Sequence, residues 1–540
     1  MQQLVTAGQA IVDGLVRNGV RQIFGIPGAH TYNLIDALYE RRTELAYIGT
    51  RHEQGAAYMA YGYARSSGRV GVYTCVPGPG VLNTTAALCT AYATNTPVLC
   101  VTSEVFSHEI GKGHGILHEL PDQLATLRGL TKWAERINHP TDAPRLVARA
   151  FEELTSGRTR PVALECPWDT LGQKALVELD VSTRHIAPPP PDPDAIEQAA
   201  ALIAAASHPM IMVGSGAVGA AAEVLELATL LQAPVAAHRS GRGIVSEETP
   251  YGFGFAAAYP LWAKTDVLIA IGTRMELQFI RWKRLPPHLK IVRIDIDPEE
   301  MIRRRLDVGI VTDARLGTAA LLEALLRRGS RRASREADFR AIKAQSRREI
   351  EVVQPQLAYL DVIRAVLPRD GFFVEEISQM GFTARFGFPV YEPRTYVSSG
   401  YQDNLGFGYM TSLGVKVANP GKAVVSINGD GGFMFGVQEL ATAIQHRIGC
   451  VAIVFNNRSF GNVLRDQKTA FGGHYLGAQL RNPDFVKLAE CFGAAGYRAS
   501  SPAELGKTLE RALADDAPAL IEVPSEPGSE TSPWPFIHPT

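Results

Sequence analysis

VVSINGDGGFMFGVQELATAIQHRIGCVAIVFNN, residues 424–457, decides how this chain folds. Two short apolar, β-branched runs, Val424 to Ile427 and Val451 to Phe455, have the character of buried parallel strands. The first breaks at Gly429-Asp430-Gly431, and the second ends on Asn456-Asn457. Between them Val437, Leu440, Ala441 and Ile444 follow i, i+3, i+4, i+7, the spacing of an amphipathic helix. The stretch is therefore a βαβ unit with Asp430 and Asn457 just past the C-terminal ends of its strands. In open α/β sheets that edge binds ligands.

A carboxylate and a carboxamide oxygen beside flexible backbone (Gly429, Gly431, Gly432) make a hard, all-oxygen site. Such a site suits a small divalent cation holding a phosphate group. The glycines let backbone approach the phosphates, and the helix that follows offers its N-terminus to the anion. The plainer alternative is an ordinary strand-turn-helix with Asp430 as N-cap and Asn457 in a turn.

Upstream, Thr50-Arg51-His52-Glu53-Gln54-Gly55-Ala56-Ala57 closes a strand (Ala46 to Ile48) and opens a helix. Pro77 to Asn83, PGPGVLN, follows the next strand, and Gly25-Ile26-Pro27-Gly28-Ala29-His30 follows the first. Strands alternate with helices along the whole chain, which predicts α/β architecture in three doubly wound parallel-sheet domains. Their expected spans are 2–164, 194–327 and 357–523. Pro188 to Pro191 reads as a stiff, extended linker, and the basic stretch from Arg328 to Arg348 as a solvated helix. The Pro/Ser-rich tail, 525–540, is expected to be irregular, with Trp534 and Phe536 able to dock.

The run from Gly-Asp-Gly to Asn-Asn, with Asp430 and Asn457 27 positions apart, resembles the thiamine diphosphate motif. ELATAIQ (Glu439 to Gln445) and NPDFVKLAE (Asn482 to Glu490) look like acetolactate synthase large subunits. Arg51-His52-Glu53-Gln54 and the Gly78-Pro79-Gly80 turn with Asn83 resemble the amino-terminal domain of the same family. The resemblance implies Mg²⁺ held by the side chains of Asp430 and Asn457 and the backbone carbonyl of Ser459. It implies a cofactor site that also takes in Pro27, Gly28, Pro79, Gly80, Asn83, Leu405, Gly429, Gly431 and Gly432. In that family the residue matching Glu53 hydrogen-bonds N1′ of the aminopyrimidine and promotes loss of the thiazolium C2 proton. A desolvated site strengthens such a bond and frees the carboxyl pKa to rise. The bland reading of Glu53 is a first-turn helix carboxylate favoured by the dipole. The family builds its site across two subunits, so a homodimer or a dimer of dimers is implied.

Three departures bear on the reaction. Leu405, in SGYQDNLGFG (Ser399 to Gly408), stands where acetolactate synthases carry the Met that wedges the cofactor into its V shape. His30 matches a Gly-Ala-His seen in benzaldehyde lyase, and His118 replaces a customary Gln. Either imidazole could shuttle protons during ligation or cleavage. The plain alternatives are a core leucine and two polar loop histidines.

The middle domain carries Gly214-Ser215-Gly216-Ala217-Val218-Gly219 after a strand, which raises a nicotinamide dehydrogenase. The next strand ends at His238-Arg239 with no carboxylate to bind a ribose, so the fingerprint is incomplete. Gly272-Thr273-Arg274 and Asp295 to Pro298 match the FAD-using pattern of acetolactate synthases in part. Tyr251 to Phe255 and Met275 to Gln278 do not, and the balance is against a functional FAD.

A formal net charge of −1 gives no reason to expect nucleic acid or an anionic membrane as partner. No apolar run reaches the length of a membrane span, Met1-Gln2-Gln3 does not read as a signal peptide, and the six scattered cysteines suit a reducing cytoplasm. The expectation is an acetolactate synthase-like enzyme, dependent on thiamine diphosphate and Mg²⁺, acting on 2-oxo acids or aldehydes. The alternatives are a benzaldehyde lyase-like acyloin lyase or ligase, a simple 2-oxo acid decarboxylase, the dehydrogenase, and a catalytically silent binding homologue.

Overall fold

The computed structural model describes residues 2–282 and 284–539. Three six-stranded sheets, each paired in parallel throughout, follow one another along the chain. The first runs Ala46–Gly49, Gln22–Gly25, Gly71–Cys75, Val98–Glu104, Val162–Pro167, Trp133–Arg136. The second runs Gly252–Gly254, Val235–Ala237, Pro209–Val213, Val267–Ile271, Lys290–Asp295, Val308–Val311. The third runs Tyr396–Val397, Phe372–Glu375, Val424–Gly429, Val451–Asn456, Ala519–Pro524, Ala495–Arg498. Helices cover both faces, so the strands read as near-continuous apolar runs. The fold is the expected α/β architecture of three doubly wound sheets.

In each sheet the chain starts on an inner strand, winds to one edge, then returns to build the other half. The switch points lie between Gln22–Gly25 and Gly71–Cys75, between Pro209–Val213 and Val267–Ile271, and between Phe372–Glu375 and Val424–Gly429. Loops leaving two such neighbours diverge and open a crevice. Glu376, Gly429 and Asp430 leave the third switch point, and Pro27, Gly28 and His30 leave the first.

The structure departs from the sequence-based expectation in two places. The chain of the first domain does not stop at Leu164: Val162–Pro167 runs past it, and Lys174–Glu178 pairs antiparallel with Gln2–Thr6. The helical connection within 424–457 is two pieces, Asp430–Phe433 and Glu439–His446. Its buried positions are Glu439, Leu440, Thr442 and Ala443, while Ala441 and Ile444 are only partly covered. The helix is rotated from the expected face because the first domain packs on its other side.

The first and third domains share one core. The helix Glu53–Ser67 lies against Gly408–Ala418, and Gly62 and Gly414 make the approach possible. A Cβ on Gly62 would collide with the carbonyl of Thr411, and one on Gly414 with that of Met59. The Tyr61 hydroxyl donates to the Ser398 carbonyl over 2.9 Å. At the other end, Trp534 packs on Phe382 and Phe536 on Phe386, so the tail docks through the two aromatics. The basic stretch holds an exposed helix, Glu336–Ile350, anchored by Phe339 and Ile350. No described helix is long and apolar enough to cross a membrane.

Candidate active site

A cavity of about 280 Å³ opens at the third switch point. Gly429 to Gly432, Asn457 and Ser459 form its head, Ile377 to Met380 one wall, and Leu405 another. Asp430 is 2% exposed and forms no ion pair with any described Lys, Arg or His. Burial pushes its carboxyl pKa up, while Asn482 and nearby backbone N–H groups pull it down. Asn482 Nδ2 donates to Asp430 Oδ2 over 2.6 Å and to Asn456 Oδ1 over 2.9 Å, joining the two strand ends. Asn457 Oδ1 accepts the N–H of Ser459 (3.1 Å) and its hydroxyl (2.9 Å). A buried carboxylate with no cation, beside a carboxamide oxygen and open glycine backbone, is costly alone and fits a hard divalent ion bearing a phosphate.

Glu376 and Glu530 complete this region, and neither was legible beforehand. Glu376 is fully buried and accepts the backbone N–H groups of Gly406 (2.8 Å) and Gly408 (3.0 Å). It thereby suspends the turn that carries Leu405. Glu530, in the tail, accepts from Asn457 Nδ2 over 2.8 Å and lines the cavity. Trp534 Nε1 donates to Asn462 Oδ1 over 2.9 Å, so the tail closes one side. The NPDF segment gave a signal for Asn482; nothing local marked the two glutamates.

The remaining predicted residues gather at the first switch point. Asn83 Nδ2 donates to Glu53 Oε2 over 3.0 Å, and Gly80 packs against Val76, where a Cβ would crowd the side chain. The turn bearing Gly78, Pro79 and Gly80 is held from behind: Gly78 N–H donates to Gln123 Oε1 (2.8 Å), and Gln123 Nε2 donates to Glu165 Oε2 (3.0 Å). Gly78 has φ +61°, and a Cβ there would strike the carbonyl of His118.

His30 and His118 meet here, with ring centroids 5.2 Å apart. Trp168 stands edge-on to His30 at 4.5 Å. Both histidines have positive φ, +74° and +66°. Left-handed backbone at a bulky residue costs about 1–3 kcal/mol and clusters at functional sites. Both ring nitrogens of His30, and Nδ1 of His118, have no hydrogen-bond partner among the described residues. Burial, then the neighbouring His118, lowers the pKa of His30. The pair is a strained, unsatisfied imidazole couple, with His30 buried on the loop that carries Pro27 and Gly28.

The structure thus groups the predicted residues into two sets and does not join them within one chain. Every residue lining the cavity around Asp430 lies at or beyond Ile377, and Glu53 is not among them.

The middle sheet has its own crevice, walled by Gly214, Ser215, Gly272, Thr273 and Arg274. Arg158 crosses it, with Nη1 2.7 Å from Asp297 and 2.6 Å from Glu300. The strand beside Pro209–Val213 that follows it in the chain ends at His238, without an acid; Asp295 stands two strands away on the other side. The dinucleotide fingerprint is incomplete in space as it is in sequence.

Comparison with known proteins agrees with both halves. Residues 5–126 match the family model for the thiamine pyrophosphate enzyme N-terminal TPP binding domain, 196–325 its central domain, and 376–523 its C-terminal TPP binding domain. The chain is 34% identical over 535 residues to a probable 2-ketoarginine decarboxylase, AruI, of Pseudomonas aeruginosa, covering 97% of this chain and 94% of that one. It is 33% identical over 551 residues to a probable acetolactate synthase large subunit of Methanocaldococcus jannaschii (96% and 92%). It is 28% identical over 536 residues to the acetolactate synthase isozyme 3 large subunit of Escherichia coli (95% and 92%).

Proposed function

The chain belongs to the thiamine pyrophosphate enzyme family, and from that premise we propose a Mg²⁺-dependent enzyme that decarboxylates a 2-oxo acid and joins the remaining acyl unit to a second carbonyl compound. The observation that carries this reading is Asp430: a buried carboxylate without a cationic partner among the described residues, at the head of a cavity walled by Leu405. Bound thiamine diphosphate supplies the electron sink for the pair left when the bond beside the carbonyl breaks.

Asp430, Asn457 through Oδ1 and Ser459 through its carbonyl would hold the Mg²⁺, and the backbone of Gly429 to Gly432 would receive the diphosphate. Leu405 would support the bound cofactor from a turn fixed by Glu376. Glu53, oriented by Asn83, holds a proton at N1′ of the pyrimidine. Because Glu53 is absent from the cavity of its own chain, it serves the cavity of a second copy, in a homodimer or dimer of dimers. His30 and His118 exchange protons with the oxygen of the reacting carbonyl. The reading requires no flavin, and four buried free cysteines suit a cytoplasmic setting.

A simple decarboxylase is the second reading, favoured by the relationship to the Pseudomonas decarboxylase. The His30–His118 pair favours a benzaldehyde lyase-like variant of the same chemistry. Two measurements test the proposal. Glu53→Gln should keep cofactor binding and slow exchange of the C2 proton by orders of magnitude; wild-type exchange would sink the assignment. Offering pyruvate, glyoxylate, benzoylformate and acyloins singly and in pairs, with mass spectrometry of products, separates ligation from plain decarboxylation.

A further inference from the structure

Glu439 opens the helix Glu439–His446, on the same connection that carries Asp430, and is fully buried. Both its oxygens lie 3.2 Å from the backbone nitrogen of Arg51, whose N–H donates to them. Oε2 also takes the Thr442 hydroxyl at 2.6 Å. The carboxyl occupies the space in which a Cβ on residue 55 would stand, so that Gly55 is the residue that fits. Six residues further along the helix, Gln445 Oε1 accepts from Arg51 Nη2 over 2.6 Å.

This arrangement is expensive. Burial pushes the Glu439 carboxyl pKa up, against the pull of the Thr442 hydroxyl, the Arg51 and His52 N–H groups and the Arg51 charge; no described Lys or Arg comes within ion-pair distance, and burying a carboxylate without a direct counter-ion is costly. An apolar contact would join the domains without that cost, so the carboxylate is explained by what it holds. The gripped N–H lies two residues before Glu53, where the strand Ala46–Gly49 turns into the helix Glu53–Ser67. His52 caps that helix, its Nδ1 accepting the Gln54 N–H over 3.1 Å. The start of the helix is therefore tethered from the third domain, while the Glu53 side chain is tethered by Asn83 in the first.

We propose that Glu439 is a positioning residue for Glu53: by holding the Arg51 N–H it sets the first turn of the helix, and with it the point at which the Glu53 carboxylate meets the cofactor. The proposal rests on the role assigned to Glu53 above.

The test compares Glu53→Gln, Glu439→Ala, Glu439→Gln and Gly55→Ala in the full-length, cofactor-loaded protein. Glu439→Ala should leave Mg²⁺-dependent cofactor affinity within a few-fold, because the Asp430 half is untouched. It should slow C2 proton exchange about ten- to a hundredfold, the scale on which small misplacements act. Glu439→Gln keeps one acceptor oxygen and should restore most of the rate. Gly55→Ala, a change that favours a helix intrinsically, should slow exchange by displacing the carboxyl, and it guards against an Ala variant that fails to fold. Wild-type exchange in Glu439→Ala and Gly55→Ala beside a slow Glu53→Gln would overturn the tether alone. Wild-type exchange in Glu53→Gln would overturn the reading beneath it. Equal losses of affinity and exchange would reduce Glu439 to a structural part and also overturn the proposal.

Discussion

Glu376 Oε1 accepts the backbone N–H of Gly406 over 2.8 Å, which hangs the Leu405 turn from a buried acid at the end of the strand Phe372–Glu375. Burial pushes the Glu376 pKa from 4.5 up to about 7, against the opposing pull of the Gly406 and Gly408 N–H groups. The folded state therefore holds this proton more tightly than the unfolded chain. That contribution to stability is fully present below about pH 4.5 and is lost as pH rises through about 7. The whole change amounts to roughly 3 kcal/mol. Unfolding free energies of wild type and Glu376→Gln should differ by an amount that falls by roughly 2–3 kcal/mol between pH 5 and pH 8. A difference that stays flat across this range would refute the assignment.

Asp430→Ala should weaken cofactor binding in the presence of Mg²⁺ by roughly a hundredfold or more, since even outer partners of a metal site are worth about 10–100-fold. Titration calorimetry with and without Mg²⁺ checks it. The variant should also lose most of the dependence on the metal; an unchanged affinity would remove Asp430 from the metal site.

Two inactive variants should rescue one another. In a mixed dimer of Glu53→Gln and Asp430→Ala chains, one site carries both changes and the other carries neither. Co-refolding or co-expression should restore about a quarter of wild-type activity if the site spans two copies. If each chain held a complete site, every site would carry one defect and no activity would return.

Substituting His30 should separate bond chemistry from cofactor activation. With C2 proton exchange assigned to Glu53 in the proposed function, His30→Ala should leave that exchange near wild type while lowering turnover about 10²–10⁴-fold, the usual range for a lost general acid–base group. Slowed exchange would instead tie His30 to the cofactor. The thermal midpoint should move little: two unsatisfied ring nitrogens disappear, but the left-handed φ persists at alanine and a buried ring packed on Trp168 is lost.

Most of the fold was legible because parallel α/β sheets announce themselves locally. Val424–Gly429 and Val451–Asn456 are apolar runs whose ends coincide with Gly429 and Asn456, so the positions of Asp430 and Asn457 at the sheet edge followed from the strands alone. Glu53 and Asn83 were picked out by their resemblance to the family's amino-terminal domain, and in the structure Asn83 Nδ2 donates to Glu53 Oε2 over 3.0 Å. The helix at Glu439 was read on the wrong face, because a glutamate opening an amphipathic helix is normally solvated. Its burial depends on an N–H 388 positions away.

The chain by itself determined which strands form and which polar groups stand at their C-terminal ends, since strand burial and turn chemistry act over a few residues. Only the tertiary structure decided that Glu376 and Glu439 are buried acceptors of backbone N–H groups, that His30 and His118 meet ring to ring, and that Glu53 lies outside the cavity of Asp430. The reason is physical: a carboxylate or an imidazole has no fixed place until the partner that replaces its water is known, and those partners come together only when the domains pack.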